Sequence, residues 1–234
     1  TRRYRHLRDL HLYPTRRSSI LILTFAKGNK RYLDAQKRQQ ASLTNNYKGD
    51  YKAYFNENEI PNCPDHSQVP YAFKAYAIQK AINDGYTTII WMDSVVHAIK
   101  DLQPFIDKVN NFGGVFFNNI WHPLKEWINA DCLNIYGGNR EYVNDKKQIM
   151  SCVFGVNVSS EFGSDLMNVY IKVAKLGAYN GSWENHRHDQ SVLSLLLSDN
   201  KRILTAHETF FMYDHFRNVK EFNINYNTIS MLSK

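Results

Sequence analysis

The sequence predicts an α/β fold: a three-layer sandwich whose mostly parallel central sheet is covered by helices on both faces. Two apolar runs, residues 19–25 (SILILTF) and 86–92 (YTTIIWM), are short, dense and rich in β-branched side chains, as buried strands are. Segments with helical spacing lie between and after them, at 30–43, 70–84, 101–110, 160–177 and 190–198. Strand and helix therefore alternate for most of the chain, which is the pattern of a parallel sheet.

Each element has a local reason. Lys27-Gly28-Asn29 ends the first strand, and Asn29 is placed to cap the helix that follows, with Tyr32, Leu33, Gln36, Gln39 and Leu43 near one side. Residues 51–55 read as a second strand. Pro61, Pro64 and Pro70 mark a loop over 56–70, and Pro70 suits the first turn of the next helix. Phe73, Ala77 and Ala81 recur at spacing four on that helix, and Gly85 stops it. Residues 114–117 read as a strand, 123–129 as a short helix and 134–147 as a polar loop. Residues 150–158 and 202–206 are two further strands, and Ser160 opens the helix that Gly177 ends.

Length and charge narrow the class. The 234 residues suit one α/β domain over 19–234, with 1–18 as a basic peripheral arm. Formal charge is +7, and much of it sits in the arm on Arg2, Arg3, Arg5, Arg8, Arg16 and Arg17. The remainder is close to neutral, so a nucleic-acid partner is not expected. Cys63, Cys132 and Cys152 have neither a disulfide framework nor zinc spacing. No apolar run is long enough to span a bilayer. The expected location is cytoplasmic, or the chain is the catalytic domain of a longer membrane-associated or secretory-pathway enzyme.

The chemistry-bearing residues fall at strand ends, where open α/β sheets bind ligands. Asp93 follows the run Ile89-Ile90-Trp91-Met92 and precedes Ser94. A carboxylate there can hold a divalent cation that bridges the phosphates of a ligand. A second constellation, His186-Arg187-His188-Asp189-Gln190, leads a polar loop into the apolar helix Ser191-Val192-Leu193. Asp189 is also placed to cap that helix. Arg187 suits a phosphate, and His207 follows the late strand, at another such end.

These two segments resemble GT-A fold nucleotide-sugar glycosyltransferases. GYTTIIWMDSVV is similar to their strand and DxD segment, with Val95 standing where the second aspartate belongs. HDQ before an apolar helix is similar to their late acidic motif. The resemblance covers about residues 19–210 and implies a GT-A-like Rossmann-type sandwich. It implies transfer of a hexose or pentose from a UDP- or GDP-sugar to a glycan or glycoprotein, with Mn²⁺ or Mg²⁺ as a candidate cofactor. Asp189 would be the catalytic residue, as general base or sugar-orienting carboxylate. Thr24, Phe25, Ala26, Lys74, Trp91, Asp93, Ser94, Arg187 and His188 would hold the donor, with Lys74 reaching its phosphates. Asp93 and His207 would be the metal ligands. In the strand Cys152 to Asn157, Gly155 would let a sugar approach the backbone. Three alternatives are metal-free transfer, with Arg187, Lys74 or His188 replacing the cation as Val95 suggests, a degenerate module that binds a nucleotide sugar or glycan without turnover and, prompted by the arm, a basic nucleic-acid-binding domain.

Overall fold

The computed structural model describes residues 19–197, 203–206, 210–213 and 229–232. The basic arm and His207 lie outside the described residues. The chain runs β1 (Ile20–Phe25), α1 (Lys30–Asn46), β2 (Asp50–Tyr54), α2 (Ala72–Asn83), β3 (Thr88–Met92), β4 (Val96–Ala98), α3 (Gln103–Phe112) and β5 (Gly114–Pro123). It continues through α4 (Ala130–Tyr136), β6 (Lys147–Asn157), α5 (Glu161–Lys175), α6 (His188–Leu197), β7 (Ile203–Ala206), β8 (Phe211–Tyr213) and β9 (Ile229–Leu232).

Seven strands form one sheet in the order β2-β1-β3-β6-β5-β9-β7, and β4 pairs with β8 in a separate ribbon. β1 lies parallel to both β2 and β3. From β3 onward each neighbour is antiparallel. Five strands therefore point one way, and β6 and β9 run against them. The α/β alternation holds, and direct parallel pairing is confined to β2-β1-β3, where crossover helices join the strands.

Strand alternation divides the core between the two faces of this sheet. Leu21, Leu23, Ile89, Trp91, Phe154 and Val156 face one way, under Phe73 and Ile78 of α2, Tyr170 of α5 and Leu193 of α6. Ile22, Ile90, Met92, Val115, Phe117 and Val153 face the other way, under Leu43 of α1 and Phe105, Ile106 and Val109 of α3. This makes three layers.

Caps fix several helix ends. Asn29 accepts from the Arg31 N–H at the start of α1, and Ser160 accepts from Gly163 at the start of α5. The region around 121–147 is more ordered than its composition suggests. β5 continues to Pro123, only a 3-10 turn occupies Leu124–Glu126, and α4 reaches into the expected loop. Asn129 caps α4 through the Cys132 N–H, and Gly137 ends it at φ 82°.

Gly155 does not open the backbone to a sugar. A Cβ there would lie 2.5 Å from Val109 Cγ2 and 3.1 Å from the Phe105 ring. Its place is taken by α3, which packs closely on β6.

A candidate active site at the carboxyl end of β3

Asp93 leaves the sheet at the carboxyl end of β3, and its geometry is held from three sides. Its N–H donates to the Cys152 carbonyl at 2.7 Å, and its carbonyl accepts from Val96 N at 2.8 Å, closing a turn. Gln39, buried on α1, donates from Nε2 to the carbonyls of Asp93 and Val96, each at 2.8 Å. The Trp91 indole N–H donates to Asp93 Oδ1 at 2.7 Å. The carboxylate thus stands on a braced turn.

Lys74 joins Asp93 to Asp189. It rises from α2, is 1% exposed, and places Nζ 2.7 Å from Asp189 Oδ2 and 3.2 Å from Asp93 Oδ1. Nζ also donates to the Ser151 carbonyl at 2.9 Å. An ammonium has three protons, and these three acceptors account for all of them. Lys74 is therefore a buried strut between β6 and two carboxylates. Reaching donor phosphates, as the sequence suggested, would require breaking that arrangement.

The charges explain one another. Burial opposes the charge on Lys74, but the fields of Asp189 and Asp93 outweigh it and raise its pKa. Desolvation pushes the Asp93 carboxyl above the ordinary carboxylate value, although Lys74 pulls it down. The Asp93 side chain still has 28% of its surface open, whereas that of Asp189 has 3%. Asp93 Oδ2 and Asp189 Oδ1 have no hydrogen-bond partner among the described residues.

Asp189 does not cap α6, because its carboxylate turns to Lys74 instead. The first turn is secured by Arg187, whose N–H donates to Ser191 Oγ at 2.9 Å and whose carbonyl accepts from Gln190 N at 2.9 Å. The Gln190 side chain donates to Gln148 Oε1 on β6 at 2.8 Å. His188 opens the helix at φ 47°, and Tyr71 precedes α2 at φ 60°. Left-handed geometry is costly for such residues. Their rings stack at 5.5 Å, so two strained positions meet beside the carboxylates.

Aromatic rings continue outward from this pair. Trp183 stacks 6.0 Å from Tyr71 and 5.7 Å from His188, and is 52% exposed. The Arg187 guanidinium lies between two indoles, 3.8 Å from Trp127 and 4.0 Å from Trp183. Trp127 is carried there because its carbonyl accepts from the Arg187 N–H at 3.1 Å and from the Ser191 hydroxyl.

The sequence therefore names residues that the fold brings together: Lys74, Trp91, Asp93, Arg187, His188 and Asp189. Thr24 and Ala26 are enclosed, and the Ala26 N–H is already given to the Tyr54 carbonyl at 2.9 Å. At the carboxyl end of β1 the expected donor surface is left to Phe25, which stacks on Phe73 at 4.1 Å. Ser94 is buried at 4% exposure. The sequence reading missed Tyr71, Trp127 and Trp183. Its one usable signal was a tryptophan in the polar loop Gly181 to His188.

The donor set does not by itself suit a divalent ion. Among the described residues no three His, Cys, Asp or Glu side chains converge. The Lys74 ammonium already spans the carboxylates, and Val95 is an apolar buried residue. His207 lies outside the described residues.

The site is thus one carboxylate at the end of β3 and one at the start of α6, joined by Lys74 and set in an α/β sandwich. No family model matches the chain, and no curated protein does. Among solved structures it is similar to a glycosyltransferase involved in glycosylation of the major capsid of PBCV-1, at 14% identity and TM-score 0.46, covering 75% of this chain and 74% of that one. It is also similar to mouse xyloside xylosyltransferase 1, at 12% identity and TM-score 0.46, covering 76% and 81%. A third is the bifunctional glycosyltransferase WbbM, at 12% identity and TM-score 0.48, where the match covers 79% of this chain but 38% of that one. No helix among the described residues is long and apolar enough to cross a membrane.

Proposed function

We propose that the chain is a glycosyltransferase that moves a sugar from a UDP- or GDP-sugar to a glycan or glycoprotein acceptor. The observation that supports this most is the Trp91–Asp93–Lys74–Asp189 cluster at the carboxyl end of β3, near the exposed Trp183 ring. Carboxylates recognise sugar hydroxyls by accepting hydrogen bonds. In this reading Asp93 meets the donor through its open edge. Asp189 lies at the sugar or acceptor hydroxyl, held at fixed height by Lys74. Lys74 offsets one of the two negative charges in advance, which limits repulsion of an anionic donor.

The test is turnover of a panel of UDP- and GDP-sugars, followed by mass spectrometry of released nucleotide and product, with Mn²⁺ and with chelator. Consumption of one donor in preference to the others is expected. Asp189→Asn is expected to lower kcat by about 100-fold or more, if it serves as acid or base, with donor affinity nearly unchanged. Absence of turnover and of donor binding across the panel would sink the reading. The burial of Asp189 and the apolar Val95 favour one second reading, a module that binds the donor or a glycan without transfer. Donor binding with no product from any acceptor would select it.

A further inference from the structure

Among the described residues, Arg187 is the one cation at this site whose side-chain donors are left unspent. The guanidinium carries five N–H donors in a planar fork. None of them has a hydrogen-bond or ion-pair partner among the described residues; the guanidinium lies against the two indole faces. Lys74, by contrast, has all its protons engaged. The chain spends structure to hold Arg187 this way. Its own N–H ties α6 to the Trp127 carbonyl, and Trp183 closes the other face. Stacking fixes the plane of the fork and leaves the N–H edge available, so little rotamer entropy remains to be lost on binding.

Charge points the same way. Asp93, Asp189 and Lys74 together leave one negative charge at the cluster. A fixed cation two residues from Asp189 gives an anionic substrate group a place to sit away from the carboxylates.

We propose that the Arg187 guanidinium, clamped between Trp127 and Trp183, is a preformed anion fork that takes a phosphate or carboxylate group of the substrate. The inference rests on the sugar-transfer reading only for which substrate brings that anion. Two sources share the chemistry: the diphosphate of the donor and an acidic sugar of the acceptor.

The experiment is isothermal titration of the full chain with inorganic pyrophosphate, UDP, GDP and glucuronate. Four variants accompany it: Arg187→Ala, Arg187→Lys, Trp183→Ala, and Arg140→Ala as a remote control. Wild type is expected to bind at least one probe. Arg187→Ala should weaken that probe by roughly 10- to 100-fold, as loss of charge-assisted hydrogen bonds does. Arg187→Lys should recover only part, because it restores charge without the fork. Trp183→Ala, which removes an exposed ring, should weaken binding by several-fold and guards against a folding defect at Arg187. Arg140→Ala should change nothing.

Loss confined to pyrophosphate and the nucleotides assigns the fork to the donor. Loss confined to glucuronate assigns it to the acceptor. Binding of every probe within twofold of wild type in both Arg187 variants overturns the proposal, as does failure of wild type to bind any of them. Anion binding through Arg187 without sugar turnover would leave the fork standing and remove the transferase reading.

Discussion

The two faces of the central sheet bury similar apolar side chains but very different polar ones. The face under α1 and α3 encloses neutral groups: Gln36 and Gln39 reach across from α1, and Thr88 Oγ1 donates to Asn110 at 2.7 Å. The face under α2, α5 and α6 encloses Lys74, Asp189, His186 and His188. Neutral amides brace a fold at low cost when satisfied. Buried charges are expensive unless paired, and apolar replacements of equal volume often serve stability as well. Concentrating them on one face, at the end of β3, is the signature of a site rather than of a stronger core.

The largest expected effect comes from breaking the charged cluster. Lys74→Met keeps the length of the side chain and removes the ammonium, leaving two carboxylates without their counter-charge. A cost of about 3–5 kcal/mol is expected near neutral pH. Lys74 is what pulls the desolvated Asp93 carboxyl back down, so without it the penalty should shrink as pH falls and that carboxyl takes up a proton. Chemical denaturation of both proteins at neutral and mildly acidic pH checks this. A loss below about 1 kcal/mol would mean that the cluster is cheaper than its burial suggests.

His186 should give the charged face its acid sensitivity. The ring is fully enclosed, with Nε2 at 2.9 Å from the Ala178 carbonyl and Nδ1 at 3.4 Å from the Asn129 N–H. Those partners require Nε2–H as donor and Nδ1 as acceptor, the neutral tautomer. Burial holds its pKa down at about 4, from 6.5. The unfolded chain therefore binds the proton first as pH falls. The neutral ring's contribution is fully present above about 6.5 and is lost progressively down to about 4. At 1.36 kcal/mol per unit the loss is roughly 3 kcal/mol. Asp93, raised by desolvation, works in the opposite sense: stability falls as pH rises from the ordinary carboxylate value to its folded one. His186→Gln should flatten the stability profile between pH 4 and 6.5 when followed by urea denaturation; an unchanged slope would assign the sensitivity elsewhere.

How much of this was legible in the sequence follows from the range of each interaction. β1 and β3 were readable because dense β-branched runs bounded by turn residues carry their own signal. Asp93 was readable as a candidate because it ends such a run, and Asp189 because it stands where a polar loop enters an apolar helix. The role of Lys74 was not, since a lysine on a helix looks the same whether it faces water or two carboxylates from β3 and α6. The Trp127–Arg187–Trp183 sandwich was also hidden. It depends on a carbonyl at Trp127 meeting the first turn of α6, a contact across 60 residues. Likewise β9, from the end of the chain, lies between β5 and β7, and no local pattern gives that order.

The smallest effect tests whether the faces are energetically separate. Gly155 sits on β6 opposite Ile90, on the neutral face, while its neighbour Phe154 pairs with Trp91 on the charged one. A Cβ at Gly155 meets Val109 Cγ2 at 2.5 Å, and Val109 is a β-branched residue on a helix with little rotamer freedom to yield. Gly155→Ala should therefore push α3 away from the sheet at a cost of about 1–3 kcal/mol, read as a fall in Tm. Asp93, Lys74 and Asp189 are fixed by hydrogen bonds that α3 does not make, so donor affinity measured well below Tm should stay within about twofold, less than 0.5 kcal/mol. A parallel loss of affinity would show that strain crosses β6 from one face to the other. The site would then depend on the packing of α3 as well as on its own charges.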